Sequence, residues 1–347
     1  MIKPKRWQPG DKVALVSLSS GMLGEPEFLH KFHLGRERLE RDFGLELVAM
    51  PNALRGEDYL YRHPEARAED WMAAFADPAI KGVISAIGGD DTIRLLPYVD
   101  FRLMADNPKI FTGFSDTTSN HFVCRKAGLV SYYGPCLMCN FAEYGAINPY
   151  TLQSIRDSFF EPKAELPILS APYWHDDEDE KLWWKEENLG RSIPYHPAEG
   201  GYELLQGEGI AEGELLGGCI DVFPELLGTS LWPSREEWRG KLLLVETSEA
   251  DMSADNLCWL LRGLAAQGLF QVLSGVVVGR PARRSKAEPY KEVWRKVVGF
   301  EAGRPELPIL FNVNVGHAEP IGVLPLNLRY RLDAQQKSLT LLEPAAE

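Results

Sequence analysis

The sequence predicts an α/β protein in which a doubly wound parallel-sheet domain is followed by a mixed α/β domain. Three observations lead to this prediction. The strand-like runs of the N-terminal third are apolar throughout, helical stretches separate them, and a similar pattern returns after a proline-rich interval. Strands without polar alternation indicate a parallel sheet covered on both faces, and helices between the strands provide that cover.

Strands and helices alternate between residues 12 and 128. Open sheets of this kind bind ligands at the carboxyl ends of their strands, and two loops lie at such ends, "GGDD" at 88–91 and "GFSD" at 113–116. The predicted strands are 13–18, 45–50, 82–87 and 109–114, and the predicted helices are 25–43, 65–75, one from about 92 and one after Ser115.

Residues 162–213 have a different character. They contain five prolines, an acidic run at 176–180 and three tryptophans, Trp174, Trp183 and Trp184. We expect a connector and not a core element here, with the acidic run solvated. The tryptophans either pack the loop onto the protein or form a stacking wall for a ligand.

A second domain follows the connector. Residues 242–245 predict a strand, and Ser253 opens a helix with leucines on one face that ends near Gly268. Residues 272–278 and 308–313 predict further strands. The predicted division is an N-terminal domain at 1–165, a connector with the tryptophan-bearing loop at 166–212, and a C-terminal domain at 213–347.

The composition excludes several classes of protein. With 347 residues, 45% hydrophobic and 25% charged, the chain is long enough for two globular domains. A net charge of −13 argues against nucleic acid and anionic membranes as partners. The N-terminus lacks the apolar region of a signal peptide and no run has membrane-spanning length, so we expect a cytoplasmic protein.

The five cysteines predict reduced thiols, because an odd number in a chain of this length does not suggest a disulfide framework. Cys136 and Cys139 form a single CxxC without a second pair or a nearby histidine to complete a zinc set. Packed thiols are therefore expected, with a redox role as the alternative. We predict no metal and no cofactor.

Three reactive side chains follow predicted buried strands, namely Ser115, Glu246 and His317. A histidine can take the proton of a serine while a carboxylate fixes the tautomer of its imidazole and stabilises the imidazolium. Each residue also has an ordinary interpretation, Ser115 as a helix cap, Glu246 as a solvated acid or cap and His317 as a loop histidine. Their order alone does not decide between these readings.

Seven ordered segments together resemble one family, the serine LD-carboxypeptidases and their relatives, the microcin C immunity peptidases. The resemblance covers nearly the whole chain, and its serine context is not the GxSxG of α/β-hydrolases because Thr117 stands at the second glycine. The segments are "WQPGDKVALVSLSS", "GVISAIGGDD", "GFSDTTSN", "GLVSYYGP", "GELLGGCID", "LLLVETSE" and "FNVNVGHAEP".

The resemblance implies a hydrolase with its active site at the domain interface and a small-molecule or short-peptide substrate. Ser115 matches the family's nucleophile, Glu246 its acid and His317 its base. The oxyanion hole would use the N–H of Asp116 and a backbone N–H at Gly89 or Asp90, beside Gly88, since glycines allow a close approach of backbone to a carbonyl. The resemblance also implies a homodimer.

Two branches of the family differ in substrate. One removes a terminal D-amino acid from cell-wall peptides, and the immunity branch cleaves the bond between an aminoacyl group and a nucleotide-like moiety. A tryptophan can stack on a nucleobase, so Trp183 or Trp184, with Trp174 behind them, favour the immunity branch. Arg94 is a conceivable anchor for a terminal carboxylate, or a solvated helix residue.

Two other interpretations are compatible with the sequence. In a non-catalytic binding module, Ser115 and Asp116 would only cap a helix whose N-terminus holds a small anion. Such a module has no need of Glu246 and His317 within hydrogen-bond reach of Ser115. Acyl transfer would use the same three residues as hydrolysis and differ in the group that resolves the acyl-enzyme.

Overall fold

A computed structural model describes residues 1–177, 185–198 and 200–347. The strands within these residues are β1 (Lys12–Val16), β2 (Glu46–Ala49), β3 (Ile80–Ser85), β4 (Ile110–Gly113), β5 (Ser131–Tyr133), β6 (Leu166–Ile168), β7 (Tyr173–Trp174), β8 (His196–Pro197), β9 (Glu203–Gln206), β10 (Ile210–Cys219), β11 (Leu242–Glu246), β12 (Gly275–Gly279), β13 (Ile309–Val313), β14 (Leu324–Leu326), β15 (Arg329–Asp333) and β16 (Ser338–Leu341). The helices are α1 (Leu29–Phe43), α2 (Glu57–Arg62), α3 (Pro64–Ala76), α4 (Phe101–Asp106), α5 (Thr118–Lys126), α6 (Pro149–Ile155), α7 (Phe223–Leu226), α8 (Ala254–Ala266) and α9 (Ala287–Trp294).

The first sheet has the strand order β14-β5-β4-β3-β1-β2. Strands β1 to β5 are parallel, and β14 runs antiparallel to β5. Successive residues of β1 pack into two different hydrophobic core clusters. Val13 and Leu15 belong to one cluster, and Ala14 and Val16 belong to the other. Both faces are therefore covered, and the predicted parallel sheet is confirmed.

The second sheet has the order β6-β16-β15-β10-β11-β12-β13-β9. Its centre, β10 to β13, is parallel, and the strands on either side are antiparallel to their neighbours. This is the mixed α/β arrangement expected for the C-terminal part. Helix α8 begins after Ser253, whose hydroxyl accepts a hydrogen bond from the N–H of Asn256, so the predicted cap is confirmed.

The expectation of a connector without core elements is wrong in part. Strands β6 and β9 come from this region and form the two edges of the second sheet. Pro167 lies in β6, an edge position where its missing N–H is tolerated. The acidic run was expected to be solvated, but Asp176 is only 5% exposed and lies near Arg284. Residues 178–180 of the run lie outside the described residues. The domain limits at 165 and 212 stay a prediction.

Two further features differ from the sequence prediction. The helix expected from about residue 92 is a 3-10 helix, Thr92–Tyr98, which contains Pro97 and is followed by the short α4. Strand β14 returns from the second half of the chain to pair with β5, and no local pattern announces this crossing. None of the helices within the described ranges is both long and apolar enough to cross a membrane.

Candidate active site

Ser115 lies where β4 turns into the 3-10 helix Ser115–Thr117 that leads into α5. Its φ angle of 65° is unusual for a residue with a side chain. Its hydroxyl makes no capping bond at the start of either helix. The cap interpretation therefore fails for Ser115, and strain of this kind is typical of functional turns.

The hydroxyl of Ser115 is directed at His317. Its Oγ lies 3.0 Å from Nε2 of His317, and Nδ1 of His317 lies 2.8 Å from Oε2 of Glu246. Glu246 ends β11, and His317 follows β13 after Gly316. Gly316 has a φ of 89°, and a Cβ there would come within 2.3 Å of Glu246 Oε2. Only glycine leaves room for the carboxylate beside the imidazole.

Tyr133, at the end of β5, connects two of these groups and was missed by the sequence analysis. Its hydroxyl donates to Oε1 of Glu246 and accepts a 3.1 Å hydrogen bond from the backbone N–H of Ser115. Tyr133 is fully buried. A polar side chain at the end of a central parallel strand was the available signal, the same one that identified Ser115.

The "GGDD" loop packs directly on Ser115. A Cβ on Gly88 would lie 2.7 Å from Cβ of Ser115 and 3.3 Å from the backbone nitrogen of Asp116. That nitrogen is in the first helical turn, where N–H groups have no partner within the helix. Gly88 thus lies beside Ser115 and the Asp116 N–H, and Gly89 and Asp90 line the same cavity as Ser115, but the oxyanion hole stays a prediction.

Side chains brace the two loops against each other. The carboxylate of Asp116 accepts hydrogen bonds from the hydroxyl of Ser19 and from the backbone N–H groups of Asp91 and Thr92. Arg67, buried beneath the loop, forms a two-pronged ion pair with Asp91, and Arg94 also pairs with Asp91 at 2.7 Å. Arg94 is therefore engaged in holding the loop.

The charge around His317 favours its protonated form. Burial lowers the pKa of this imidazole, but Glu246, Glu249 and Asp221 together outweigh burial and raise the pKa to about 9. Glu249 follows β11 and has its Oε2 3.2 Å from Nε2 of His317, the nitrogen that faces Ser115. Glu249 thus competes with the serine hydroxyl for the same nitrogen.

A cavity of about 440 Å³ opens beside Ser115 and His317. Its volume is in the range of small-molecule sites. Among the described residues that line it there is no lysine or arginine. Six of the lining side chains are acidic, Glu57, Asp90, Glu143, Asp177, Glu249 and Glu319.

Of the three tryptophans proposed as ligand contacts, Trp174 lies within the described residues. Trp174 is buried, is not among the described lining residues, and lies 5.1 Å from the guanidinium of Arg280 and 5.6 Å from that of Arg284. Trp183 and Trp184 lie outside the described residues. Ligand stacking on any of the three stays a prediction.

One group within the described ranges has the composition of a metal site. Ligand atoms of Cys219, Glu246 and His317 lie within 4.8 Å of one another. The histidine and the glutamate are already hydrogen-bonded to each other, and burial raises the pKa of the Cys219 thiol, so the thiolate form that binds metals is disfavoured. The expectation of no metal stays a prediction.

Comparison with known proteins defines the class. Models of the LD-carboxypeptidase N-terminal and C-terminal domains match residues 13–134 and 212–332. The microcin C7 self-immunity protein MccF of Escherichia coli is 27% identical over 90% of this chain and 88% of its own length. A protein named as a probable murein peptide carboxypeptidase from Bacillus subtilis is 28% identical over 98% of this chain and 94% of its own.

A solved structure supports the same assignment. The MccF-like protein from Streptococcus pneumoniae, in complex with AMP, is 34% identical, has a TM-score of 0.87, and is matched over 95% of this chain and 98% of its own. The protein is a hydrolase of the serine peptidase type. It belongs to the LD-carboxypeptidase family.

Proposed function

We propose that Ser115, His317 and Glu246 form a catalytic triad that hydrolyses the bond between an aminoacyl or peptidyl group and a nucleotide-like moiety. The observation that carries the triad is the continuous chain of hydrogen bonds from Ser115 Oγ through His317 to Glu246. A binding module gains nothing from this alignment, so the geometry favours catalysis.

In the proposed mechanism, Nε2 of neutral His317 takes the proton of Ser115 while Oγ attacks the scissile carbonyl carbon. Glu246 holds the imidazole through Nδ1 and stabilises the imidazolium that forms. The N–H of Asp116 and a backbone N–H at Gly89 or Asp90 bind the oxyanion, and each donor contributes about 3 kcal/mol to the transition state. His317 then protonates the leaving group, and water, activated by the same imidazole, releases the acid and restores Ser115.

Two observations support a nucleotide-like substrate. The streptococcal relative was solved with AMP. The described lining of the cavity also lacks a guanidinium for the free carboxylate of a terminal D-amino acid. Cleavage of a terminal D-alanine from a cell-wall peptide is the second candidate, because the Bacillus subtilis relative carries a name of that kind.

Mass spectrometry of wild-type protein and the Ser115→Ala variant tests both candidates. The substrates are an aminoacyl-sulfamoyl adenosine and an L,D-tetrapeptide of cell-wall type. We expect release of the sulfamoyl nucleoside by the wild type and a loss of roughly 10⁴- to 10⁶-fold in the variant. Serine-dependent loss of D-alanine with the nucleoside compound intact would move the protein to the second candidate. Wild-type turnover by the variant would refute the triad.

Hydrolysis, a homodimer and a cytoplasmic location are part of the same proposal. Hydrolysis is separated from acyl transfer by adding an amine acceptor to the assay and searching for the transfer product. Light scattering of the purified protein measures the dimer directly. Fractionation of the source cells tests the location.

A further inference from the structure

One wall of the cavity carries two carboxyl groups, and the charge of one acts on the other. Glu143 and Glu319 both line the cavity, and both also line a smaller adjoining pocket. Oε1 of Glu143 accepts a hydrogen bond from the N–H of Tyr144, and Oε1 of Glu319 accepts one from the side-chain amide of Asn140. Backbone and amide groups therefore hold both carboxyls in place at this wall.

The cations behind this wall offset the negative charge of its carboxyl groups only in part. Lys31 and Arg38 exert a favourable charge effect on Glu143, but the ammonium of Lys31 donates to the carbonyls of Met138 and Ala142. Burial and then the charge of Glu143 raise the pKa of Glu319 to about 8, and burial raises the pKa of Glu143. Burial is the largest cause of both shifts, and a positively charged ligand would oppose them.

His175 is an independent sign of a ligand site at this wall. It lines the cavity, is 6% exposed, and its backbone N–H donates to the carbonyl of Glu319 at 2.8 Å. Its Nδ1 lies 3.0 Å from the carbonyl oxygen of Pro194, which can only accept, so Nδ1 carries a proton and, in the tautomer with that single proton, Nε2 is an acceptor. Nε2 is buried without a hydrogen-bond partner among the described residues.

The chemistry of this wall selects the ligand. Two carboxyls and an imidazole acceptor offer oxygen and nitrogen lone pairs, so they fit a group with several N–H donors and a positive charge. An acidic group would be repelled. An apolar group would leave the buried acceptor unpaired, which is unfavourable.

We propose that Glu143, Glu319 and His175, here called the cation subsite, bind a positively charged aminoacyl side chain, so that the enzyme prefers lysyl-like or arginyl-like substrates. This inference rests on the proposed function, because it assigns the aminoacyl part of that substrate. Glu249 lies beside the reacting atoms at His317 and is separate from the subsite. Asp177 is also separate, since its carboxylate lies near Arg283.

Three sulfamoyl adenosines test the preference. They carry a lysyl, a norleucyl and a glutamyl group, respectively. All three share the α-amino group, and norleucine resembles lysine in shape without its charge. We expect kcat/KM for the lysyl compound to exceed that for the norleucyl compound by about ten- to a hundredfold, with the glutamyl compound slowest. Equal rates for lysyl and norleucyl, or a preference for glutamyl, would overturn the inference and leave the hydrolase proposal intact.

Variants assign the preference to these residues. Glu319→Gln and Glu143→Gln keep the side-chain shape, and each is expected to reduce the lysyl-to-norleucyl ratio about tenfold. The matched control is Glu57→Gln, which changes an acid of the same cavity outside the subsite and should leave the ratio as in the wild type. If the control lowered the lysyl-to-norleucyl ratio as much as the subsite variants do, the preference would come from the total negative charge of the cavity. That result would refute the subsite.

Calorimetric titration of Ser115→Ala protein separates binding from turnover. We expect the lysyl compound to bind about tenfold more tightly than the norleucyl compound. If no compound is cleaved by the wild type but this difference is found, the proposed reaction fails while the cation subsite stands. Equal binding of the two compounds by this variant counts against the subsite whatever the turnover.

Discussion

The proposed catalytic centre and the proposed cation subsite share one cavity but are built in different ways. Ser115, Tyr133 and Glu246 lie at or within two residues of the ends of parallel strands, which fix their positions, whereas His317 lies on the loop after β13. Glu143, His175 and Glu319 lie on segments outside the named strands and helices. Most of the centre is therefore positioned by the sheets, whereas His317 and the subsite are positioned by local hydrogen bonds.

This difference determines how well the residues of each region tolerate substitution. The atoms of the centre have little freedom, since Gly88 and Gly316 leave no space for a Cβ beside Ser115 and Glu246. The subsite residues lie on loops, which tolerate substitution because they are not part of the ladder of a sheet. Reaction chemistry and substrate choice are thus separable, and substitutions in the centre should change the rate far more than those at its border.

The largest expected effect in this comparison comes from Gly88→Ala. The new methyl group would lie 2.7 Å from Cβ and 2.9 Å from Oγ of Ser115, so the serine must move. We expect kcat to fall by about a hundredfold or more, because small displacements of reacting groups have effects of this size. Steady-state kinetics on the cleaved substrate measure it.

The control for Gly88→Ala is Gly263→Ala in α8. A Cβ at that position meets nothing within 4 Å, and alanine is the better helix former by roughly 0.5–1 kcal/mol. Its thermal midpoint should rise slightly and its kcat should stay at the wild-type value. Unchanged kcat in Gly88→Ala would contradict the tight placement of the loop against the serine.

Tyr133→Phe has the next largest expected effect. It removes the hydroxyl between Glu246 and the N–H of Ser115 and keeps the buried ring. The buried Glu246 and the part-buried N–H of Ser115 each lose a partner, so we expect a stability loss of about 1–3 kcal/mol and a fall in kcat of about ten- to a hundredfold with little change in KM. Kinetics and denaturant unfolding measure the two effects.

Tyr132→Phe is the matched control for Tyr133→Phe. Tyr132 is the preceding residue, is equally buried, and donates its hydroxyl to the carbonyl of Ala345. The control should lose stability and keep kcat. If both variants lost stability equally and both kept kcat, Tyr133 would be a purely structural residue.

The sequence was most informative where a residue depends on regular structure. The parallel strands, the cap at Ser253 and the nearness of Ser115 to the "GGDD" loop follow from apolar runs and from the rule that loops meet at strand ends. The roles expected of Glu246 and His317 came from the family resemblance, since order alone left each with an ordinary alternative.

Other features depend on contacts between distant segments and had no local signal. The pairing of β14 with β5 joins parts of the chain nearly two hundred residues apart. Glu319 approaches Asn140 across 179 residues of chain, and Asp176 approaches Arg284 across 108. In the sequence these acids resemble solvated surface residues, because burial and partners are set only by the tertiary fold.

The smallest expected effect concerns Glu249, at the border between the two regions. His317 acts as a base only when neutral, and its pKa of about 9 means that kcat/KM should rise with pH up to about that value. Because Glu249 is one of the charges that raise this pKa, Glu249→Gln lowers it and increases the neutral fraction at pH 7. We expect the acidic limb of the pH profile to move to lower pH and kcat/KM at pH 7 to rise about two- to fivefold, the size typical of a half-exposed ion pair.

Asp251→Asn provides the comparison for Glu249→Gln. It removes a carboxylate from the same loop, but that carboxylate pairs with Arg283 and Lys286 and not with His317. Its pH profile should coincide with that of the wild type. An identical shift in both variants would mean that the loop acts through its total charge, and a shift of Glu249→Gln to higher pH would contradict the assignment of Glu249 as a partner of His317. A shift found only in Glu249→Gln would mean that Glu249 acts directly on His317. This cavity acid would then affect the reaction chemistry and not the choice of substrate.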